Sequence, residues 1–200
     1  TPYHRWNIPR GTIARERHLG SLRCEWFYPE RPSAPSAAEY GLVNRHIAFH
    51  VVTRRVFEQL QPHCPGVRYL TNPVDTALFA GRTDCHELVA EWNGNAGHGG
   101  TVKGLGILQA ACQAAAVPLR TSEFGGGQIP NTEMPAFYRQ ASVALCGSLY
   151  EGSSNSVAEA MAMGLALVTT DCGNIREIRD SQLARFGDTG IVLVERSAAG

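Results

Sequence analysis

From Leu88 onward the chain repeats one pattern: short apolar runs at Leu88–Trp92, Pro118–Ser122, Ser142–Cys146, Leu165–Thr169 and Ile191–Val194, with helical spacing of apolar residues between most of them. Runs this short, alternating with helix-length segments, specify strands joined by helical crossovers. The expected architecture is a parallel, helix-flanked sheet, a doubly wound α/β domain of Rossmann-like type. The helix expected over Leu105–Ala116 places Leu105, Leu108, Cys112 and Ala115 on one face, and Pro135–Ala141 carries Pro in its first turn. In open parallel sheets ligands bind beyond the carboxyl ends of the strands. The loops that matter are therefore 93–103, 124–132, 147–155 and 170–175, all rich in Gly, Ser, Thr or Asn.

The loop 147–155 is the most informative. Ser148-Leu149-Tyr150-Glu151-Gly152-Ser153-Ser154-Asn155-Ser156 leads from a strand into a helical segment that Gly164 can end as a left-handed cap. The free N–H groups and positive dipole end of such a helix attract phosphate, and the small side chains of Ser153, Ser154 and Ser156 leave the main chain approachable. Glu151 stands at the mouth of the turn and Glu159 in the first turns of the helix, so a ligand held by the N–H groups could touch both. A local reading fits the same residues: Ser156-Val157-Ala158-Glu159 has capping-box spacing, with Glu159 bonding the N–H of Ser156 and Glu151 a solvated loop acid. The spacing alone leaves both open.

The loop 93–104 reads Asn93-Gly94-Asn95-Ala96-Gly97-His98-Gly99-Gly100-Thr101-Val102-Lys103-Gly104. Lys103 is the only lysine in the chain, and it stands where the loop opens its helix. An ammonium there is a mobile point charge suited to a diphosphate, whereas the plain alternative is a surface lysine. The loop spells neither a Walker A nor G-x-G-x-x-G, which argues against a P-loop NTPase or a dinucleotide dehydrogenase. His98 has no second ligand at metal spacing and reads as a polar loop residue.

With 200 residues and 44% hydrophobic content the chain can form one good domain, or one domain and part of another. A formal net charge of zero gives no reason to expect a nucleic-acid partner. Charge is unevenly spread, since residues 1–82 hold eleven arginines against six acids and residues 83–200 seven bases against twelve acids. The six cysteines form no C-x-x-C pair, and Cys112 and Cys146 lie in apolar runs as small hydrophobes; a reduced, cytosolic protein is the expectation. No apolar run approaches the roughly 20 residues of a transmembrane helix. Residues 1–40 show no clear periodicity and end in a turn-rich stretch. A strand is expected over Ile47–Thr53, a helix over Arg54–Leu60, a strand over Val67–Leu70, and a boundary near 72–85. A start at Thr1 reads as that of a fragment or a processed product.

Taken together, Trp92-Asn93-Gly94-Asn95, Lys103-Gly104, Met134-Pro135-Ala136-Phe137-Tyr138, Ser148-Leu149-Tyr150-Glu151-Gly152, Glu159-Ala160-Met161-Ala162-Met163-Gly164 and Asp171-Cys172-Gly173-Asn174-Ile175-Arg176-Glu177-Ile178 resemble, in order, the nucleotide-sugar-binding half of retaining GT-B glycosyltransferases of the group 1, family 4 type. Asn72-Pro73-Val74-Asp75 resembles the Asn-Gly-Val-Asp approach to that half, so the likeness spans about residues 47–194.

The resemblance implies transfer of a sugar from a nucleotide-diphospho-sugar, with retention, to a glycan, lipid or small-molecule acceptor. It implies no metal and no cofactor beyond the donor, whose base stays open. Glu159 would bond the ribose hydroxyls and Glu151 would face the donor sugar near the reacting carbon. The backbone at Ser154, Asn155 and Ser156 would meet the phosphates, with Gly94, Asn95 and Gly152 also lining the donor site. Lys103 would neutralise the departing diphosphate. Where the family often carries a basic residue before that lysine, this chain has Gly97-His98. The implied organisation is a partial acceptor-side segment over 1–71, a linker over 72–85, and a C-terminally incomplete donor-binding domain over 86–200, so that the chain is part of an active enzyme. The implied location is cytoplasmic, peripheral at the membrane in the full-length protein. A nucleotide-sugar epimerase of the same fold and a non-catalytic nucleotide-binding or scaffolding module are the alternatives.

Overall fold

The computed structural model describes residues 22–23, 36–81, 84–95, 100–123 and 129–196. The chain divides into two compact units, Thr1–Thr71 and Asn72–Gly200. In the first, strands β1 (Leu22–Arg23), β2 (Phe49–Val51) and β3 (Arg68–Tyr69) form a parallel sheet in that order. Helices α1 (Ala37–Asn44) and α2 (Arg54–Leu60) pack with it around Tyr40, Phe49, Val51, Leu60 and Cys64. Helix α1 begins at the end of the stretch 1–40, where no periodicity is evident. Its start is specified by a complete capping box: the Glu39 N–H donates to Ser36 Oγ at 3.3 Å, and the Ser36 N–H donates to Glu39 Oε2 at 2.9 Å.

The second unit holds a five-stranded parallel sheet of β4 (Ala90–Gly94), β5 (Leu119–Glu123), β6 (Val143–Cys146), β7 (Ala166–Thr170) and β8 (Ile191–Val194), in the order β5-β4-β6-β7-β8. Helices α3 (Gly100–Lys103), α4 (Leu105–Ala114), α5 (Met134–Tyr138), α6 (Asn155–Ala162) and α7 (Ile175–Phe186) supply the crossovers. This is the parallel α/β architecture expected from the repeating pattern. Strand β8 and helix α2 coincide with their predicted spans, while β4 starts and ends two residues later than its apolar run. Leu88 is 60% exposed, whereas polar Asn93 and Gly94 pair with Ser122 and Glu123 of β5; backbone pairing, not side-chain polarity, extends the strand. Its core gathers residues of α5, α6 and α7 against the sheet, with Tyr138, Met163 and Leu167 fully buried. Burial of a side chain of that size contributes about 1.5–3 kcal/mol.

The stretch 72–85, expected as a linker, is in its described part packed on the second unit. Phe79 is buried with its ring edge-on to Tyr138 at 6.1 Å, and Asp75 Oδ1 accepts the N–H groups of Ala77 and Leu78. An aromatic side chain in the core and a local turn that satisfies its own amides make this an ordered start to the unit rather than a spacer.

Successive strands add on opposite sides of β4, so the sheet has its switch point between β4 and β6. There the backbones of the two following loops touch. Gly104 has φ +73°, and a Cβ on it would lie 2.3 Å from the Gly147 carbonyl oxygen. Likewise Gly173, after β7, has φ +58°, and its Cβ would lie 2.1 Å from the Gly152 carbonyl oxygen. Both positions need the left-handed backbone and the missing side chain.

Strand β4 is also unusual in its polarity. Ala90 and Trp92 are buried, but so is Glu91, whose Oε2 has no hydrogen-bond partner. Burial, reinforced by neighbouring Cys146 and Glu159, pushes its carboxyl up from 4.5 to about 8.

Two predictions follow from these packings. Gly104→Ala and Gly173→Ala should each destabilise the chain by more than about 1 kcal/mol, whereas Gly106→Ala, with nothing within 4 Å, should stabilise helix α4 by about 0.5–1 kcal/mol. Urea midpoints decide this, and equal effects at Gly104 and Gly106 would refute the close-approach argument. For Glu91, the folded chain retains between about pH 4.5 and 8 a proton that the unfolded chain releases. Stability therefore falls as pH rises through that window, at up to about 1.4 kcal/mol per unit. Glu91→Gln should flatten the decline and be the more stable protein at pH 8, with little difference at pH 5; the same pH slope in both proteins would show Glu91 to be ionised already.

Candidate functional site

The switch point brings Lys103 and Glu151 together from loops 48 residues apart. Lys103 closes α3, Gly104 turns the chain, and the Leu149 N–H donates to the Val102 carbonyl at 2.8 Å, which joins the β4 and β6 loops. Lys103 Nζ lies 2.5 Å from Glu151 Oε1, and Ser148 Oγ donates to the same oxygen at 2.8 Å. The side chains are 31% and 14% exposed, so the pair is partly withdrawn from water but still reachable. The ammonium has three donors and spends one on Glu151, leaving capacity for other acceptors.

The loop from Ser148 to Ser154 is held by its carbonyls. Thr170 Oγ1 donates to the Ser148 carbonyl at 2.6 Å, the Asn174 N–H to that of Gly152 at 3.1 Å, and Asn72 Nδ2 to that of Ser153 at 2.7 Å. Asn72 Nδ2 also reaches Asn155 Oδ1 at 2.9 Å, while Asn174 Nδ2 donates to Ser153 Oγ at 3.2 Å. Three carbonyls of the loop, those of Ser148, Gly152 and Ser153, are thus taken up. Helix α6 begins at its N-cap Ser154 with no side-chain cap, and its first internal bond runs from the Ala158 N–H to the Ser154 carbonyl. That leaves the N–H groups of Asn155, Ser156 and Val157 outside the helix ladder, with Ser154 Oγ and Ser156 Oγ 3.1 Å apart beside them. The arrangement offers backbone donors, a helix dipole and an ammonium to one anionic ligand.

Glu159 does not close the capping box that its spacing allowed. The helix starts at Ser154, too early for Ser156 to be its N-cap, and Glu159 Oε2 accepts the Tyr138 hydroxyl at 3.0 Å instead. Burial raises the Glu159 carboxyl, and the bond from Tyr138 pulls it back down. Glu151 is likewise no free loop acid, since it is paired with Lys103.

Of the residues singled out in the sequence, Lys103, Glu151, Gly152, Ser154, Asn155 and Ser156 converge on the two joined loops. Gly94 closes β4 and Asn95 follows it, leading into the Lys103 loop, while Glu159 is held on α6 by Tyr138. Gly97 and His98, and the first part of the loop 124–132, lie outside the described residues. Among the described residues, no three His, Cys, Asp or Glu side chains are grouped as a metal ion would require. No described helix is long and apolar enough to cross a membrane.

Residue patterns overlooked several members of this cluster. Tyr138 and Asn72 stand in the motifs Met134–Tyr138 and Asn72–Asp75 but carry no signal of a polar role. Cys146 and Cys172, 26 residues apart and with no recognisable spacing, place their Sγ atoms 4.0 Å from each other at the ends of β6 and the β7 loop. The contact between them pulls the Cys146 thiol down and pushes that of Cys172 up.

Residues 102–199 match the model of a family described as Glycosyl transferases group 1. No match is found among curated proteins. Among solved structures, the chain is similar to one described as "Crystal structure of GtfA/B complex", with a TM-score of 0.58 at 17% identity. The match covers 94% of this chain and 44% of that one, so the chain spans less than half the length of its neighbour. At such identity the likeness speaks for the fold. Over residues 102–199, then, the chain is similar to the group 1 glycosyl transferases, and its second unit has a parallel, helix-flanked α/β build like that of a GT-B fold.

Proposed function

We propose that the second unit binds a nucleotide-diphospho-sugar and serves a retaining glycosyltransferase that passes the sugar to a glycan, lipid or small-molecule acceptor. The observation that carries this reading is the Lys103–Glu151 pair at the switch point, beside the uncapped start of α6. A diphosphate is the ligand that such a set of groups favours: two or three backbone N–H groups, a helix dipole and one ammonium answer a compact charge, while nothing there would reward a neutral ligand. In this reading the backbone at Ser154, Asn155 and Ser156 takes the phosphates and Gly152, Gly94 and Asn95 line the approach. Lys103 shares its ammonium between Glu151 and the diphosphate. As the bond to the sugar breaks, charge grows on the departing phosphate oxygen, and Lys103 stabilises it from a position already set by Glu151 and Ser148. Glu151 faces the sugar and Glu159 accepts from the ribose hydroxyls. No metal is called on. Retention needs the acceptor held on the face from which the diphosphate leaves, a positioning effect to which the Asn72–Gly200 unit contributes the donor side.

Calorimetry with UDP, GDP and ADP against their nucleosides tests the reading. Lys103→Ala should weaken diphosphate binding by about 1.5–3 kcal/mol and leave nucleoside binding unchanged. Glu151→Gln, which frees the ammonium from its carboxylate, should keep or tighten diphosphate binding while lowering transfer or donor hydrolysis. Equal loss for diphosphate and nucleoside, or no loss at Lys103, would refute the phosphate role.

A further inference from the structure

Beneath the donor loops a line of buried polar groups runs from the sheet to helix α6. Tyr138, at the end of α5, is fully buried, with Phe79 and Phe137 edge-on to its ring at 6.1 and 5.8 Å. A phenylalanine would fill the same space, so packing gives no reason for the hydroxyl. That oxygen receives Asn93 Nδ2 from β4 at 3.4 Å and lies 3.0 Å from Glu159 Oε2 and 3.3 Å from the Ser156 carbonyl. A phenol has one hydrogen to donate. With Asn93 donating into the oxygen, that hydrogen is left for the carboxylate, which is both the nearer and the charged acceptor.

We infer that Tyr138 is a positioning residue for nucleotide recognition: anchored by Asn93, its hydroxyl holds one oxygen of Glu159 so that the other meets the ribose. This rests on the reading of Glu159 as the ribose acceptor. A Glu side chain on a helix otherwise samples several rotamers, and ordering it on binding weakens the complex; a partner that holds it beforehand removes that loss. The protonation states agree with the roles. Burial, with Glu91 close by, pushes the Tyr138 phenol up, so it stays a donor, while its bond to Glu159 favours the carboxylate over the neutral acid that burial would favour. The serine at 156 joins the same device, because its carbonyl sits beside the hydroxyl while its N–H lies at the start of α6.

The test is calorimetry on the 200-residue chain with UDP, GDP and ADP, followed by the 2′,3′-dideoxy form of whichever binds best. In the unsubstituted chain the dideoxy nucleotide should bind about tenfold more weakly or worse, the loss expected for hydrogen bonds to a charged group. In Tyr138→Phe that penalty should shrink to about threefold or less, with affinity for the dideoxy nucleotide nearly unchanged. A purely structural tyrosine would lower both affinities together and leave their ratio intact; that outcome overturns the inference alone. A ratio of one in the unsubstituted chain, or no binding of any of the three nucleotides, overturns the ribose or donor reading and the inference with it. If Tyr138→Phe does not fold, Asn93→Ala, which keeps the ring and frees its hydroxyl, reads the same ratio, and an unchanged ratio there is equally decisive.

Discussion

The contact on which the rest of the site depends is made by two glycines without side chains. Gly104 sits against the Gly147 carbonyl with a backbone turn that L-residues rarely adopt, so the loop after β4 lies directly on the loop after β6. A methyl group between them would collide with that carbonyl and force the loops apart. Because they touch, Lys103 reaches Glu151 and the Leu149 N–H reaches Val102, and the third loop is drawn in by the same device at Gly173. The sheet order creates the crevice; the glycines bring its walls within bonding distance.

A second constraint is the polar layer beneath that crevice. Glu91, Asn93, Tyr138 and Glu159 occupy space that an α/β core ordinarily fills with aliphatic side chains. Glu91 keeps its proton at neutral pH because burial would leave its carboxylate unsolvated, with Cys146 and Glu159 adding to the effect. Such a layer costs stability, and here it holds the half-buried Glu159 carboxylate through the Tyr138 hydroxyl. Cys146 and Cys172 lie at its edge, close enough to share one thiol hydrogen.

Asn72 extends the same logic to the start of the second unit. Its one amide nitrogen binds the Ser153 carbonyl and Asn155 Oδ1, so the first residue of the unit fastens the loop in which the donor groups stand. A segment that reads as a spacer is thereby part of the scaffold of the site.

Periodicity alone determined the parallel α/β class, the strand count of the second unit and the loops in which to look, because burial of both faces of a sheet requires continuous apolar runs and crossovers require helices between them. Glycine positions such as Gly164 could also be read locally, since a left-handed cap is a property of a few adjacent residues. The pattern Ser-x-x-Glu shows where that legibility stops. At Ser36 and Glu39 it forms a capping box, and at Ser156 and Glu159 it does not, because a tyrosine 21 residues away claims the carboxylate. The partners of Lys103, Glu159 and Asn72 lie 48, 21 and 81 residues distant. Only the tertiary fold chose them, since side-chain hydrogen bonds are satisfied by whichever donor the packing brings within about 3 Å.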